Sequence, residues 1–468
     1  MSLDGIQIAN CVCNAIQVSK QSALGLRQEL PLTIGEILMS DLTETSKIKC
    51  LLSTNAKKKV MLTAATSALA TALCVPVSNT NAGATINFGE DKSITVGLGL
   101  RAAFTNAEDG APNGKSRSND FDVYSARLFT SASLNKYIKG TLNLDATAGA
   151  ESSFGSARNG VGDKVQVFDA IARFEFAPEF NIWAGRMLVP NDRGNMDGPY
   201  YLSTWLYPAL VAQYPGQTNG RDTGVTAWGK LNDAHFTYAA GAFEGHNNFK
   251  GASSDNSNLM YVTRLQYDFW DANPVQAYFT ASTLYGAKET LAIGLAANYQ
   301  KDGVGTSVKK GDYLGYNIDA LMEKNIGIGV LTLEGAAYKF DSDGVSDVNT
   351  GLVTSTLSQP SSTANVGGVS EGKAYLASAA FLFPQKIGWG KFQPTFRFMK
   401  FKADSTSGDG INSVNVASSD TKQYDLGMNY IIEGHDARLS AVYSKTKKDQ
   451  AGPDIDLDKF ILGVQLQF

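Results

Sequence analysis

The chain has 468 residues, of which 43% are hydrophobic and 18% are charged, and its formal net charge at pH 7 is −4. A mean hydropathy of −0.15 excludes a bundle of transmembrane helices, and the hydrophobic content excludes a disordered chain. The acidic balance gives no general attraction to nucleic acid, so no nucleic-acid partner is expected.

The N-terminal part of the chain has the features of an export signal. Three lysines at 57–59 precede an apolar run at 60–77, and Thr80-Asn81-Ala82 fits the small-x-small cleavage pattern. We predict a secretory signal peptide at 56–82, cleaved after Ala82 or after Ala84. A transmembrane anchor is the competing interpretation.

Residues 1–55 precede this signal, and we interpret them as an over-long gene start or a cytoplasmic leader. All four cysteines lie within the first 74 residues. The predicted exported part, 83–468, therefore has no cysteine and must be stable without disulfide bonds.

From residue 93 onward, apolar and polar residues alternate with a period of two. Ile94, Val96 and Leu98 alternate with small or polar residues, as in a strand that has one apolar face. Strands of about ten residues, joined by alternately short and long links, are typical of a transmembrane β-barrel. Because such barrels have an even number of strands, a surplus segment at 275–284 is assigned to one long connection, 270–289. The predicted fold is all-β, a 16-stranded antiparallel transmembrane barrel with strands at 93–104, 122–132, 137–148, 165–176, 181–187, 222–230, 235–243, 258–269, 290–300, 312–324, 327–340, 372–383, 391–401, 423–432, 437–446 and 458–468.

The last predicted strand ends the chain on an aromatic residue. Val464, Leu466 and Phe468 lie on its apolar face. Bacterial outer-membrane proteins end in this way, and the resemblance implies recognition by the barrel-assembly machinery. We therefore expect a location in the outer membrane, in contact with its lipid and lipopolysaccharide. The short links are expected to face the periplasm and the long ones the outside.

Charged residues of the strands are predicted to face the lumen. Seven strand arginines lie opposite the apolar stripe: Arg101, Arg127, Arg173, Arg186, Arg264, Arg397 and Arg438. Eight acidic residues share that face: Asp145, Asp169, Glu175, Asp268, Asp319, Glu323, Glu334 and Asp425. Either opposed basic and acidic walls create a transverse field across the pore, or arginine–carboxylate pairs stiffen the wall.

The segment at 188–221 is the best candidate for a constriction. It contains tyrosines, a tryptophan and prolines that would be costly to leave in water, so we expect it to fold into the lumen. Asp192, Arg193, Asp197 and Arg221 are the candidate eyelet residues. A lid or a subunit contact is the alternative interpretation of this segment.

Several short motifs together resemble the phosphate-selective porin O and P family, a group of 16-stranded outer-membrane porins. The resemblance covers nearly all of 84–468 and rests on Trp183-Ala-Gly-Arg186, Gly220-Arg-Asp-Thr-Gly-Val225, Arg264-Leu265, Gly286-Ala-Lys288, Leu291-Ala-Ile-Gly294, Leu333-Glu-Gly335, Pro394-Thr-Phe-Arg397 and Phe468.

This resemblance implies a homotrimer in which each barrel has its own pore. Family members selective for phosphate use an arginine ladder and a lysine cluster. Arg127, Arg186, Arg221 and Arg264 are compatible with the ladder, but no lysine cluster can be aligned. The lumen carboxylates favour a general porin, a diffusion channel for small hydrophilic solutes and ions with a preference for anions.

An enzyme is the main alternative from a different class. The predicted mature chain has three histidines and no cysteine, and it has no nucleophile motif or metal-binding motif. Asp341-Ser-Asp-Gly344 falls short of a calcium loop. We therefore expect no catalytic residues, no metal and no cofactor. An adhesin or structural barrel, or a sheath for an electron carrier, remains an open alternative, since the same strand pattern serves all of these.

Overall fold

The computed structural model describes residues 83–148, 161–212, 214, 220–245, 258–305, 310–343, 371–404, 420–449 and 454–468. The predicted leader at 1–55 and the signal peptide at 56–82 lie outside these residues. Within the described ranges, no helix is long and apolar enough to cross a membrane.

The described chain is built almost entirely from antiparallel strands. Strands β2 to β17 each pair with the next along the chain, and β17 pairs with β2, which closes a ring of 16 strands. The predicted 16-stranded barrel is confirmed. In chain order the strands are β1 (Ala84–Asn87), β2 (Ser93–Ala107), β3 (Ser118–Ser133), β4 (Ile138–Ala148), β5 (Val161–Ala177), β6 (Phe180–Leu188), β7 (Arg221–Leu231), β8 (Phe236–Phe243), β9 (Met260–Asp268), β10 (Thr290–Gly305), β11 (Lys310–Asn325), β12 (Val330–Asp341), β13 (Gly372–Leu382), β14 (Lys391–Ala403), β15 (Asp420–Glu433), β16 (Ala437–Asp449) and β17 (Ile455–Gln467).

The short strand β1 was not predicted, and it lies where the two ends of the barrel sequence meet. It pairs with the first four residues of β2, Ala84 opposite Val96, whereas β17 pairs with β2 from Gly99 onward. The backbone of Phe468 exchanges two hydrogen bonds with Leu98, at 3.0 and 2.8 Å. β1 and β17 therefore lie end to end along one edge of β2, so the ring still counts 16 strands.

Alternation along each strand separates an outer apolar face from a lumen face. In β9, Tyr261 and Leu265 expose 58% and 42% of their surface, whereas Arg264 between them exposes only 3%. A charged side chain on the lipid face would cost about 2–4 kcal/mol at the midplane, which explains why β9 turns its arginine inward.

Two bulges change the face of particular residues. Tyr124 in β3 and Phe168 in β5 have no cross-strand partner, because the pairing shifts by one residue beside each of them. Regular alternation along β5 predicts that Phe168 shares the lipid-facing stripe with Ala170, and the bulge makes that prediction wrong. Phe168 is 5% exposed and points inward, whereas Val167 is 49% exposed. The extra residue in a bulge reverses the alternation on one side of it.

The links alternate between the two ends of the barrel. Short links follow β3, β5, β7, β11 and β15, and we call that end the turn end; the opposite end is the loop end. The link from β9 to β10 also lies at the turn end, and residues 269–289 form no strand. The assignment of 275–284 to a long connection is therefore confirmed.

Candidate functional site: the lumen constriction

The connection between β6 and β7 enters the lumen. Residues 189–212 together with Tyr214, which we call the inner segment, contain two single-turn helices, α1 (Arg193–Met196) and α2 (Gly198–Tyr201), and a 3₁₀ turn (Ala209–Val211). Trp205 and Val211 have none of their surface exposed. The inward folding that was predicted from the aromatic and proline content is confirmed.

The first turn of the inner segment is held by Asp319 of β11. Its carboxylate accepts two hydrogen bonds from the Arg264 guanidinium, at 2.6 and 2.9 Å. It also accepts the backbone N–H of Arg193 at 3.1 Å, and the Arg193 guanidinium lies 3.7 Å away. Arg264 and Asp319 are 3% and 1% exposed, so this network is desolvated and its charges depend on one another.

The two acidic eyelet candidates sit beside Arg193 on the inner segment. Asp192 caps α1 by accepting the N–H of Asn195, and its carboxylate also accepts the hydroxyls of Tyr214 and Tyr338. Burial raises the pKa of Asp192. Burial and the nearby Glu334 carboxylate raise the pKa of Asp197 well above its usual value. Both shifts favour the neutral form of these carboxyl groups.

The second half of the segment is fixed to the opposite wall. Four side chains of the wall donate hydrogen bonds to backbone carbonyls of the segment. The bonds run from Arg101 to Trp205 at 2.6 Å, from Arg438 to Leu202 at 2.5 Å, from Asn429 to Ser203 at 2.7 Å and from Gln465 to Tyr200 at 3.0 Å. The Arg101 guanidinium also lies 4.2 Å from the centre of the Trp205 ring. The inner segment is thus attached to strands on both sides of the barrel.

Several of the remaining lumen charges form ion pairs between strands of the wall, two between neighbouring strands and one between β5 and β7. The pairs join Arg127 to Asp145 at 2.5 Å, Arg397 to Asp425 at 2.7 Å and Arg221 to Asp169 at 3.2 Å. Glu334 accepts a hydrogen bond from Ser378 at 3.4 Å. Since opposite charges lie side by side, their fields largely cancel. The arrangement favours stiffening of the wall over a field between opposed walls.

Arg127 and Arg221 are brought together by the bulged Phe168. Their guanidinium carbons lie 3.8 and 4.0 Å from the centre of its ring. The negative face of the aromatic ring attracts both guanidinium groups. The sequence pattern missed this arrangement because it placed Phe168 on the outer face.

Arg186 does not join this group. It lies opposite Ala170 on β5 and Thr223 on β7, and these residues share the outer face of the sheet. The prediction that Arg186 faces the lumen is therefore wrong, and the ladder of four arginines loses this member. Arg186 is two residues from the end of β6, where a long side chain can reach the polar interface.

A second segment enters the lumen from the turn end, and the sequence analysis did not anticipate it. Residues 277–283 of the β9–β10 connection are largely buried, with Thr283 fully so. The signal was available, because Tyr278, Phe279 and Tyr285 are too apolar for an exposed turn. The aromatic content predicted an inward-folded segment only at 188–221.

His435 lies in the β15–β16 turn, where the two inward segments meet. Its ring centre is 4.9 Å from that of Tyr201 and 4.7 Å from that of Tyr285, and Nε2 lies 3.0 Å from the Thr283 carbonyl oxygen. Burial, reinforced by the positive charge of Arg438, lowers the pKa of His435 to about 4. At pH 7 the ring is neutral, so Nε2 donates its proton to the carbonyl.

Mild acid should therefore destabilise the fold at His435, because burial and the charge of Arg438 oppose protonation of the ring. The pKa of His435 is lower in the fold, about 4, than its ordinary value of 6.5, so the unfolded chain takes up the proton first. The stabilisation is complete above pH 6.5 and is lost as the pH falls towards 4. Because the ring is partly exposed, we expect a loss of about 2 kcal/mol. Thermal unfolding in detergent at pH 7.5 and 4.5 should show a larger drop for the wild type than for His435→Gln, and equal drops would contradict the assignment.

Comparison with known proteins addresses the fold. No protein-family model matches the chain, and no curated protein matches it. Solved structures do match. The anion-selective porin from Comamonas acidovorans has 13% identity and a TM-score of 0.51, over 81% of this chain and 100% of that one. The outer-membrane channel DcaP of Acinetobacter baumannii has 10% identity and a TM-score of 0.50, over 83% and 100%. OprB of Pseudomonas putida has 10% identity and a TM-score of 0.51, over 84% and 100%. The chain therefore has the fold of the outer-membrane porins.

Proposed function

We propose that the protein is an outer-membrane porin that forms a water-filled diffusion channel for small hydrophilic solutes and ions. The observation that carries this proposal is the inner segment, a charged stretch anchored across the lumen of a closed 16-stranded barrel. Barrels of this size enclose a channel rather than a packed core, and a segment across the lumen narrows it.

A preference for anions is the second part of the proposal. Arg193 and Arg264 stand together at the first turn of the inner segment, and burial shifts the pKa values of Asp192 and Asp197 in the direction of the neutral form. The pairing of Arg264 with Asp319 argues for general anion preference rather than phosphate selectivity, because that arginine already has a carboxylate partner.

The remaining features of the proposal concern export and assembly. We propose cleavage of the signal peptide at 56–82, and insertion into the outer membrane with the turn end in the periplasm. The exposed side chain of Phe468, with Leu466 and Val464 on the same face, supports recognition by the barrel-assembly machinery. A homotrimer in contact with lipid and lipopolysaccharide is the expected state.

Electrical recording tests the channel directly. Protein purified from outer membranes and reconstituted in a planar lipid bilayer should give discrete conductance steps. In a KCl gradient the reversal potential should have the sign of anion preference. An absence of steps would contradict the porin function, and a cation-selective reversal potential would contradict only the preference.

Arg193→Ala should shift that reversal potential towards cations, because it removes a positive charge from the inner segment. We expect the ratio of anion to cation permeability to fall about twofold. The matched control is Arg117→Ala, which removes a charge paired with Asp458 on the exposed loop end, where the Arg117 side chain is 44% exposed. An equal shift in both variants would show that overall charge, rather than the constriction, sets selectivity.

A further inference from the structure

The β9–β10 connection is built as an inserted element rather than as a surface turn. Its two flanking strands already pair as a hairpin, with Asp268 opposite Ala292, so a short link would suffice to join them. The connection instead contains residues 269–289, and its middle is buried. Tyr278, Thr280 and Ser282 are 2%, 2% and 1% exposed. A connection this long and this buried is more than a link between two strands, and it occupies space inside the barrel.

The inserted residues bind the inner segment along its first half. The Tyr278 hydroxyl donates to the carbonyl of Leu188 at 2.7 Å, just before the inner segment begins. Thr280 donates to the carbonyl of Arg193 at 3.1 Å, and Arg193 returns a bond to the carbonyl of Ala281 at 3.4 Å.

Ser282 also contacts the inner segment, through hydrogen bonds with the two residues that flank Leu202. Its backbone N–H donates to the carbonyl of Tyr201 at 3.2 Å, and its hydroxyl accepts the N–H of Ser203 at 2.5 Å. The two inward segments, one from each end of the barrel, therefore interlock inside the lumen.

One buried carboxylate of the wall binds the end of the inserted element through several hydrogen bonds. Glu323 of β11 has none of its surface exposed, and it accepts the Thr283 hydroxyl at 2.7 Å. It also accepts the backbone N–H groups of Leu284 and Gly286, at 3.0 and 2.8 Å. Thr332 of the neighbouring strand donates to the same carboxylate at 2.8 Å. All of these partners are donors, so this site requires an acceptor without protons of its own.

We infer that the β9–β10 connection is a second constriction element, which narrows the channel and supports the inner segment, and that Glu323 is the positioning residue that keeps it in the lumen. This inference rests on the proposed channel function. It assigns the size limit of the pore to two segments from opposite ends of the barrel rather than to one.

Three variants of the full-length protein test the inference. Glu323→Gln keeps the size of the side chain but turns an amide NH₂ towards the donors. A second variant replaces residues 275–284 with a short Gly/Ser link. The matched control is Glu289→Gln in the same connection, where the side chain is 48% exposed and its ion-pair partner Lys324 is 3.7 Å away. Heat-modifiable migration on a gel confirms that each barrel is folded before its single-channel conductance and its exclusion limit for uncharged sugars are measured.

The link variant should raise the conductance roughly twofold and admit larger sugars, because one of two segments has left the narrowest part of the channel. Glu323→Gln should also raise the conductance and the sugar exclusion limit, whereas Glu289→Gln should behave as the wild type. Adding Glu323→Gln to the link variant should then change nothing further, since the segment that it positions is absent.

The possible failures are distinguishable. If the wild type gives no channels, the proposed function fails, and this inference fails with it. If the wild type gives channels whose conductance and sugar limit are unchanged in folded link variants, the second constriction is overturned while the porin function stands. If only the link variant changes, Glu323 is not the positioning residue.

Discussion

Replacing Asp319 with alanine is expected to destabilise the barrel by about 3–5 kcal/mol and to release the first turn of the inner segment. The carboxylate compensates two buried guanidinium groups, those of Arg264 and Arg193, and it also accepts the Arg193 backbone N–H. Without it, both guanidinium groups lose their ion-pair carboxylate in a desolvated site. The cost of uncompensated charge far exceeds that of a lost neutral hydrogen bond.

Asp425→Ala provides the matched comparison for Asp319. Asp425 pairs with Arg397 in the wall at 2.9 and 2.7 Å, and among the described residues it makes no bond to the inner segment. Unfolding by urea in lipid vesicles should show a large loss for both variants. Open-channel noise should increase for Asp319→Ala alone, because only that change frees the segment. Quiet channels in Asp319→Ala would show that the segment is held mainly by its other contacts.

Replacing Trp205 with alanine is expected to cost about 3–5 kcal/mol of stability, the range for removing a fully buried large aromatic side chain. The indole has none of its surface exposed, packs edge-on against Tyr124 with 5.6 Å between ring centres, and lies under the Arg101 guanidinium. The substitution therefore removes apolar contact, aromatic packing and a cation–π interaction together. Urea unfolding measures the loss, and a cost below 1 kcal/mol would show that the indole contributes little.

Gly463 supplies a sharper test of the same contact. A Cβ at this position of β17 would lie 2.6 Å from the Trp205 ring, so Gly463→Ala should be destabilising in the wild type. In the Trp205→Ala background the same substitution should be tolerated, because the space is then open. A double-mutant cycle measures this coupling. If the destabilisation by the two substitutions is additive, the Trp205 ring does not lie against Gly463.

The strands were predictable because a barrel wall requires apolar and polar residues to alternate with a period of two, and this alternation is visible in a single sequence. The inward course of 188–221 was also predictable, since Trp205 and Tyr207 could not be left in water at low cost. The same reasoning predicts the insertion of 269–289, since Tyr278 and Phe279 are costly to leave in water, but the period of two within 275–284 indicated only a surplus strand, which the even strand count assigned to a connection.

The pairing of the lumen charges could not be predicted in the same way. Which carboxylate faces Arg127 or Arg264 depends on the register between strands, and a slip of one residue changes every partner. The bulges at Tyr124 and Phe168 shift that register locally, and no residue pattern marked them. Arg186 was misassigned for a different reason. The apolar residues Trp183 and Met187 of β6 are buried on the lumen face, where they pack in one cluster with Tyr278, so the opposite face, with Arg186, is the outer one.

The meeting of β1 and β17 along one edge of β2 also dictates an order of assembly. The seam between β17 and β2 joins residues more than 350 positions apart, so the ring cannot close until the last strand has been made. The inner segment receives two of its anchoring bonds from Arg438 and Gln465, which belong to the final two strands. A partly synthesised chain therefore has a wall whose inner segment is not yet fully anchored, and the last of these anchoring bonds form in the step that closes the barrel.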